Sequence, residues 1–117
     1  MRILIVDDDE SIREIVKIML KDHEVYEASS GLEGVELYKR IRPDIVLMDI
    51  NMPGMDGVEA TKEILRFDPN AVIFGITAFA RSRGKELLSV GARGIIEKPF
   101  TRKSLKEAIE SFAKSLT

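Results

Sequence analysis

Residues 2–10 read RILIVDDDE: a five-residue apolar strand that runs straight into three aspartates and a glutamate. Four adjacent carboxylates repel one another. At ~5 Å and an effective dielectric near 20, each like-charge pair costs about 3 kcal/mol. A loop has gentler ways to be polar, so the run needs a reason.

The chain around it alternates in period. After RILIV, residues Ile12, Ile15, Val16, Met19 and Leu20 recur at the spacing of one helical face. EVYEA (24–28) reads as a more polar strand. Leu32, Val35, Tyr38 and Ile41 suggest a second helix, stopped before Pro43. DIVLMD is a buried strand and MPGMDG a turn, followed by a helix with Val58, Ile64 and Leu65. Then come the strand AVIFGIT, a helix through Leu87 and Leu88, and the short strand GIIE. The last helix carries Leu105, Ala108, Ile109, Phe112, Ala113 and Leu116. Five β–α units in a row, with continuous apolar strands, predict an α/β fold: a five-stranded parallel sheet covered on both faces. The polar second strand belongs on an edge. The order 2-1-3-4-5, doubly wound and flavodoxin-like, fits, with its switch point between strands 1 and 3.

Ligands bind beyond the carboxyl ends of strands at such a switch point. Strand 1 ends in Asp7 and Asp8, strand 3 in Asp49 with Asn51 two residues on, strand 4 in Thr77, and strand 5 in Lys98 before Pro99. Parallel neighbours lie ~4.8 Å apart, so these groups gather over one edge of the sheet. Carboxylates that repel are tolerable when a divalent cation supplies the missing counter-charge, and an all-oxygen set of carboxylates and waters suits Mg²⁺. An aspartate can attack a phosphoryl group and hold it as an acyl phosphate, while Mg²⁺, an ammonium and a hydroxyl neutralise the equatorial oxygens. Asp9, Glu10 and Ser11 have a simpler use at the start of helix 1, where Ser11 and Glu14 fit a capping box. Asp56 fits a cap for helix 3.

Composition narrows the function further. At 117 residues a single domain is expected over 1–117. There is no cysteine, which excludes disulfides, thiolate metal sites and cysteine nucleophiles. Apolar runs are strand-sized, so neither a membrane span nor a secretory signal is expected, and the chain reads as cytoplasmic. The net charge of −2 argues against nucleic acid as a partner. Charge is uneven: residues 80–106 hold eight bases against two acids, and the first sixty hold fourteen acids against seven bases. Gln is absent and Asn occurs twice, a depletion shared with thermophile proteins. His23 reads as a surface residue, and GARG and GLEG lack the Lys-Ser/Thr ending of a nucleotide-binding loop.

ILIVDDDESIR, PDIVLMDINMPGMDG, ITAFA and KPF together resemble the receiver domains of two-component response regulators, in order and spacing along the whole chain. The resemblance implies a signalling switch rather than an enzyme of external substrates. Asp49 would be the phosphoacceptor, taking its phosphoryl group from a phosphohistidine on a sensor histidine kinase or phosphotransfer protein. Asp7, Asp8, Asp49 and the backbone carbonyl of Asn51 would hold Mg²⁺, for which Mn²⁺ can substitute. Thr77 and Lys98 would contact the phosphoryl group, and the Lys98–Pro99 bond would be cis. The switch and output face would carry Thr77, Ala78, Ile95, Arg83 and Lys85, and the molecule would be a monomer or a weak phosphorylation-dependent dimer. One position departs from the pattern: receivers usually have Phe or Tyr three residues before the lysine, and here Ile95 stands there.

Three other readings stand beside this one. The chain ends one helix after KPF, so a stand-alone receiver of chemotaxis or phosphorelay type is expected, against a receiver cut from a longer DNA-binding or enzymatic regulator. DDDES also matches the nucleophile motif of haloacid-dehalogenase-type phosphatases, with Asp7 as nucleophile and Asp9 as acid. A binding scaffold without activity is disfavoured because every expected site residue is present.

Overall fold

The computed structural model describes residues 1–115, with side chains described except at residues 80, 81 and 113–115. Leu116 and the side chain of Ala113, placed above from sequence, lie outside the described residues. The chain runs β1 (Arg2–Val6), α1 (Glu10–Met19), β2 (Glu24–Ala28), α2 (Gly31–Ile41), β3 (Ile45–Asp49), α3 (Gly57–Phe67) and β4 (Ile73–Thr77). A π-helical turn (Ala80–Gly84) then leads into α4 (Lys85–Ser89), β5 (Gly94–Glu97) and α5 (Arg102–Ser115). All neighbouring strands are parallel, in the order β2-β1-β3-β4-β5. The flavodoxin-like doubly wound sheet is therefore the fold.

Alternation along the central strands splits the core into two layers. Leu4, Val6, Val46, Met48 and Ile73 face α2 and α3, packing on Val35, Tyr38, Ala60 and Ile64. Ile3, Ile5, Ile45, Leu47, Ile76 and Ile96 face α1 and α5, packing on Val16, Leu20, Leu105 and Ile109. A smaller cluster of Ile50, Val58, Leu87 and Ala92 seats α4. Gly75 lets α4 come this close, since a Cβ there would overlap Leu87 and crowd Ile95.

Several local expectations shift. Ile15 and Leu32 are exposed, because a 3.6-residue stripe marks a face but not which flank of it the sheet covers. The N-cap of α1 is Asp9 rather than Ser11: Asp9 Oδ1 accepts from the Ser11 N–H at 2.9 Å and the Ser11 O–H at 2.6 Å. Asp56 does cap α3, accepting from the Glu59 N–H at 2.9 Å. The strand before Thr77 begins at Ile73 rather than Ala71, and β5 ends at Glu97, one residue before Lys98. The helix through Leu87 is only five residues long because the π-helical turn takes the preceding stretch, and Leu88 is exposed. No helix among the described residues is long and apolar enough to cross a membrane.

Candidate functional site

The ends of β1, β3, β4 and β5 bring Asp7, Asp8, Asp49, Asn51, Thr77, Ala78 and Lys98 into one open cleft of about 280 Å³, joined by Asp9 and Phe79. Asp7, Asp49 and Thr77 are buried, whereas Asp8 is exposed. Carboxylate oxygens of Asp7, Asp8 and Asp49 all lie within 4.8 Å of one another, an arrangement able to hold a metal ion.

Lys98 organises the pair. Its Nζ donates to Asp7 Oδ2 at 3.1 Å and to Asp49 Oδ1 at 3.3 Å, so one ammonium bridges the ends of β1 and β3. Burial works against that charge, but the Asp49 and Asp7 carboxylates outweigh it and hold the lysine above its ordinary pKa. One positive charge serves three carboxylates, and the deficit falls on Asp49. Its pKa is pushed up to about 6, first by burial and then by the neighbouring Asp7 charge, with Lys98 opposing both. An unmet negative charge in a buried site of hard oxygen ligands is what a divalent cation relieves.

Backbone contacts fix these side chains. The Asp9 N–H donates to Asp7 Oδ1 at 2.9 Å. Arg13, on the second turn of α1, donates to the Asp7 carbonyl at 2.8 Å while its Nε donates to Glu27 of β2, also at 2.8 Å. A Cβ on Gly57 would overlap the Asp49 carbonyl, so glycine here lets the start of α3 close against the end of β3. Thr77 Oγ1 accepts from the Phe79 N–H at 2.9 Å, which leaves its hydroxyl hydrogen available. The Lys98–Pro99 bond is cis.

The other expected residues fall elsewhere. Ile95 is half-buried on β5, beside a shallow groove that it shares with Phe74 and Ser104. Lys85 is exposed. Arg83, expected to project outward, is instead tied back to Asn51, Asp56 and Glu86. Sequence reasoning missed Arg13 and Phe79 as neighbours of the site and placed Asp9 there only under the phosphatase reading. Arg13 lies six residues after Asp7, and only its anchorage to Glu27 turns it towards the strand end. The phosphatase reading finds little support, since the Asp9 side chain it needs as an acid is engaged as a helix cap.

Comparison with known proteins agrees with this geometry. The family model of the response regulator receiver domain matches residues 3–110. The chain is 43% identical over 117 residues to the chemotaxis protein CheY of Thermotoga maritima, covering 97% of this chain and 98% of that one. It is 42% identical to the CheY of Halobacterium salinarum, over 92% of each chain. Among solved structures, the CheX–CheY–BeF3–Mg²⁺ complex from Borrelia burgdorferi superposes with a TM-score of 0.89 at 32% identity, covering 95% of this chain and 87% of that chain. Sharing that family's model, strand order and strand-end carboxylates, the chain belongs to the response regulator receiver domains, signalling switches activated by phosphorylation rather than classical enzymes.

Proposed function

We propose that Asp49 is the phosphorylated residue and that the protein catalyses its own phosphorylation and dephosphorylation with Mg²⁺. The observation that carries this is Lys98 bridging Asp7 and Asp49 inside a three-carboxylate cluster it cannot neutralise alone. An Asp49 oxygen forms the new P–O bond as the P–N bond of a donor phosphohistidine breaks, its electron pair staying on the imidazole. Lys98 then meets a phosphoryl oxygen, and the Thr77 hydroxyl donates to another while still accepting from Phe79. Attack of water on phosphorus later returns the Asp49 carboxylate and releases inorganic phosphate. Asp7, Asp8, Asp49 and the Asn51 carbonyl would hold Mg²⁺, which supplies charge neutralisation on the phosphoryl oxygens.

The 117 residues act, on this reading, as one cytoplasmic receiver domain, monomeric or weakly dimeric when phosphorylated. The donor is a histidine kinase or phosphotransfer protein, and the target is a protein, with chemotaxis the pathway that the CheY relatives suggest. Incubation with a small acyl phosphate, with and without Mg²⁺, followed by mapping of the adduct, tests the assignment. The expected result is label on Asp49 that requires Mg²⁺. Label on Asp7 would favour the phosphatase reading instead.

Ile95 makes the output route specific. When Thr77 is drawn to the phosphoryl group, residues 78–84 follow. Ile95 is short and stiff at χ1, so it can follow only slightly. On phosphorylation, amide exchange should change more over residues 79–86 than over 94–97. The exposed Lys85, reversed to glutamate, should weaken phosphorylation-dependent partner binding, while Ile95→Ala alters it by less than ~1 kcal/mol beyond any stability loss. Changes centred on 94–97 would show that β5 carries the signal after all.

A further inference from the structure

Arg83 belongs to the π-helical turn, yet its guanidinium reaches along the rim of the cleft. It donates to Asn51 Oδ1 at 2.9 Å, to Asp56 Oδ2 at 3.2 Å and to Glu86 Oε1 at 2.9 Å. These acceptors come from the β3–α3 loop, the N-cap of α3 and the first turn of α4. One planar fork therefore straps together the two segments that border the cleft, 51–56 and 78–84. A lysine has three donors on one atom and lacks the two separate nitrogens by which this fork reaches Asn51 on one side and Asp56 and Glu86 on the other.

Asn51 is where this strap meets the chemistry. Among the described residues, neither its backbone N–H nor its carbonyl has a hydrogen-bond partner, and the Arg83 contact is the one bond that restrains it. The loop beyond is held by Met52 and Met55 on the core and turns through Gly54 at φ 73° before Asp56, but neither contact reaches the polar atoms of Asn51. We propose that Arg83 is a positioning residue for the cation: by holding the Asn51 side chain it keeps the Asn51 carbonyl set for the metal. This rests on the Mg²⁺ reading above. Because coupling between two sites is reciprocal, a cation held at that carbonyl should in turn quiet the π-helical turn.

Charge alone predicts the opposite sign. Removing a guanidinium near a cation site, and leaving Asp56 and Glu86 unpaired, makes the site more negative and should tighten Mg²⁺ binding. Loss of positioning should weaken it. Mg²⁺ titrations followed by amide chemical shifts on wild type, Arg83→Ala, Arg83→Lys, Asn51→Ala and the Arg83→Ala/Asn51→Ala pair separate the two. Each single substitution is expected to weaken Mg²⁺ about 3- to 10-fold, at the low end for a support outside the ligand shell because the strap is partly in solvent. The pair should be no weaker than either alone. Mg²⁺ should slow amide exchange over 79–84 in wild type and leave it unchanged in Arg83→Ala. Unchanged or tighter binding in Arg83→Ala, or additive losses in the pair, would overturn the proposal while leaving the cation site standing. A wild type that ignores Mg²⁺ would overturn both.

Discussion

Asp49→Asn should lose the phosphoryl adduct entirely and, without Mg²⁺, fold more stably than wild type at pH 7. The first effect follows from chemistry, since an amide is no nucleophile towards phosphorus. The second follows from linkage. The Asp49 pKa is about 6 in the folded protein against an ordinary 3.8, so the unfolded chain ionises this group more readily. Below both values neither state is charged and folding bears no penalty. As pH rises from about 4 to 6 the penalty grows, and above 6 it is complete, at about 3 kcal/mol for a shift of this size. Asparagine avoids it, and because the shift already includes the opposing pull of Lys98, a net gain of about 3 kcal/mol is expected at pH 7, roughly 10–15 °C in Tm. The gap should close near pH 4. Mg²⁺ at ten times its dissociation constant should add about 1.4 kcal/mol to wild type and little to the variant. Thermal unfolding across pH, with and without Mg²⁺, checks all of this. A variant less stable than wild type at pH 7 would mean that Asp49 is not strained by its surroundings.

Lys98→Met should act in the other direction. It leaves Asp7, fully buried, and Asp49, nearly so, facing each other without a counter-charge. Breaking a buried pair from one side typically costs 3–5 kcal/mol. Lys98 keeps a fifth of its side chain in solvent, so a loss of about 3 kcal/mol at pH 7 is expected. Lowering the pH should repair much of it, because Asp49 then takes up a proton. Mg²⁺ should repair it as well, and should bind more tightly than in wild type once the competing ammonium is gone. Denaturant unfolding at pH 5 and pH 7 measures the difference. Equal losses at both pH values would show that Lys98 supports the fold through packing of its stem, not through charge.

Much of this site is legible in the sequence. The alternation of apolar strands with amphipathic helices dictates a parallel sheet, and the polarity of EVYEA puts β2 on an edge. Once strands 1, 3, 4 and 5 have their ends, Asp7, Asp8, Asp49, Thr77 and Lys98 must share one border of the sheet. What stayed hidden depends on contacts distant in sequence. Arg83 looked like a free surface base because its partner Asn51 lies 32 residues away. Ser11 looked like a cap because it satisfies the capping-box pattern with Glu14, but Asp9, itself a favoured N-cap type, sits where the chain leaves β1 and makes the bond. The π-helical turn has no periodic signature that could tell it from the start of an ordinary helix. The outward Ile15 shows the same limit, since spacing reports amphipathicity but not how a helix is rolled on its sheet.

The Lys98–Asp7 contact joins residues 91 apart in the chain. During synthesis from the N-terminus, the acidic strand ends therefore emerge long before the ammonium that balances them. A partial fold containing β1 and β3 but not β5 gathers the carboxylates with no partner, and electrostatics disfavours it. The same holds for a native molecule whose last strand has peeled away. Forming the carboxylate cleft and completing the sheet are thus one cooperative event, and a truncated or half-folded chain is kept from presenting a finished cleft.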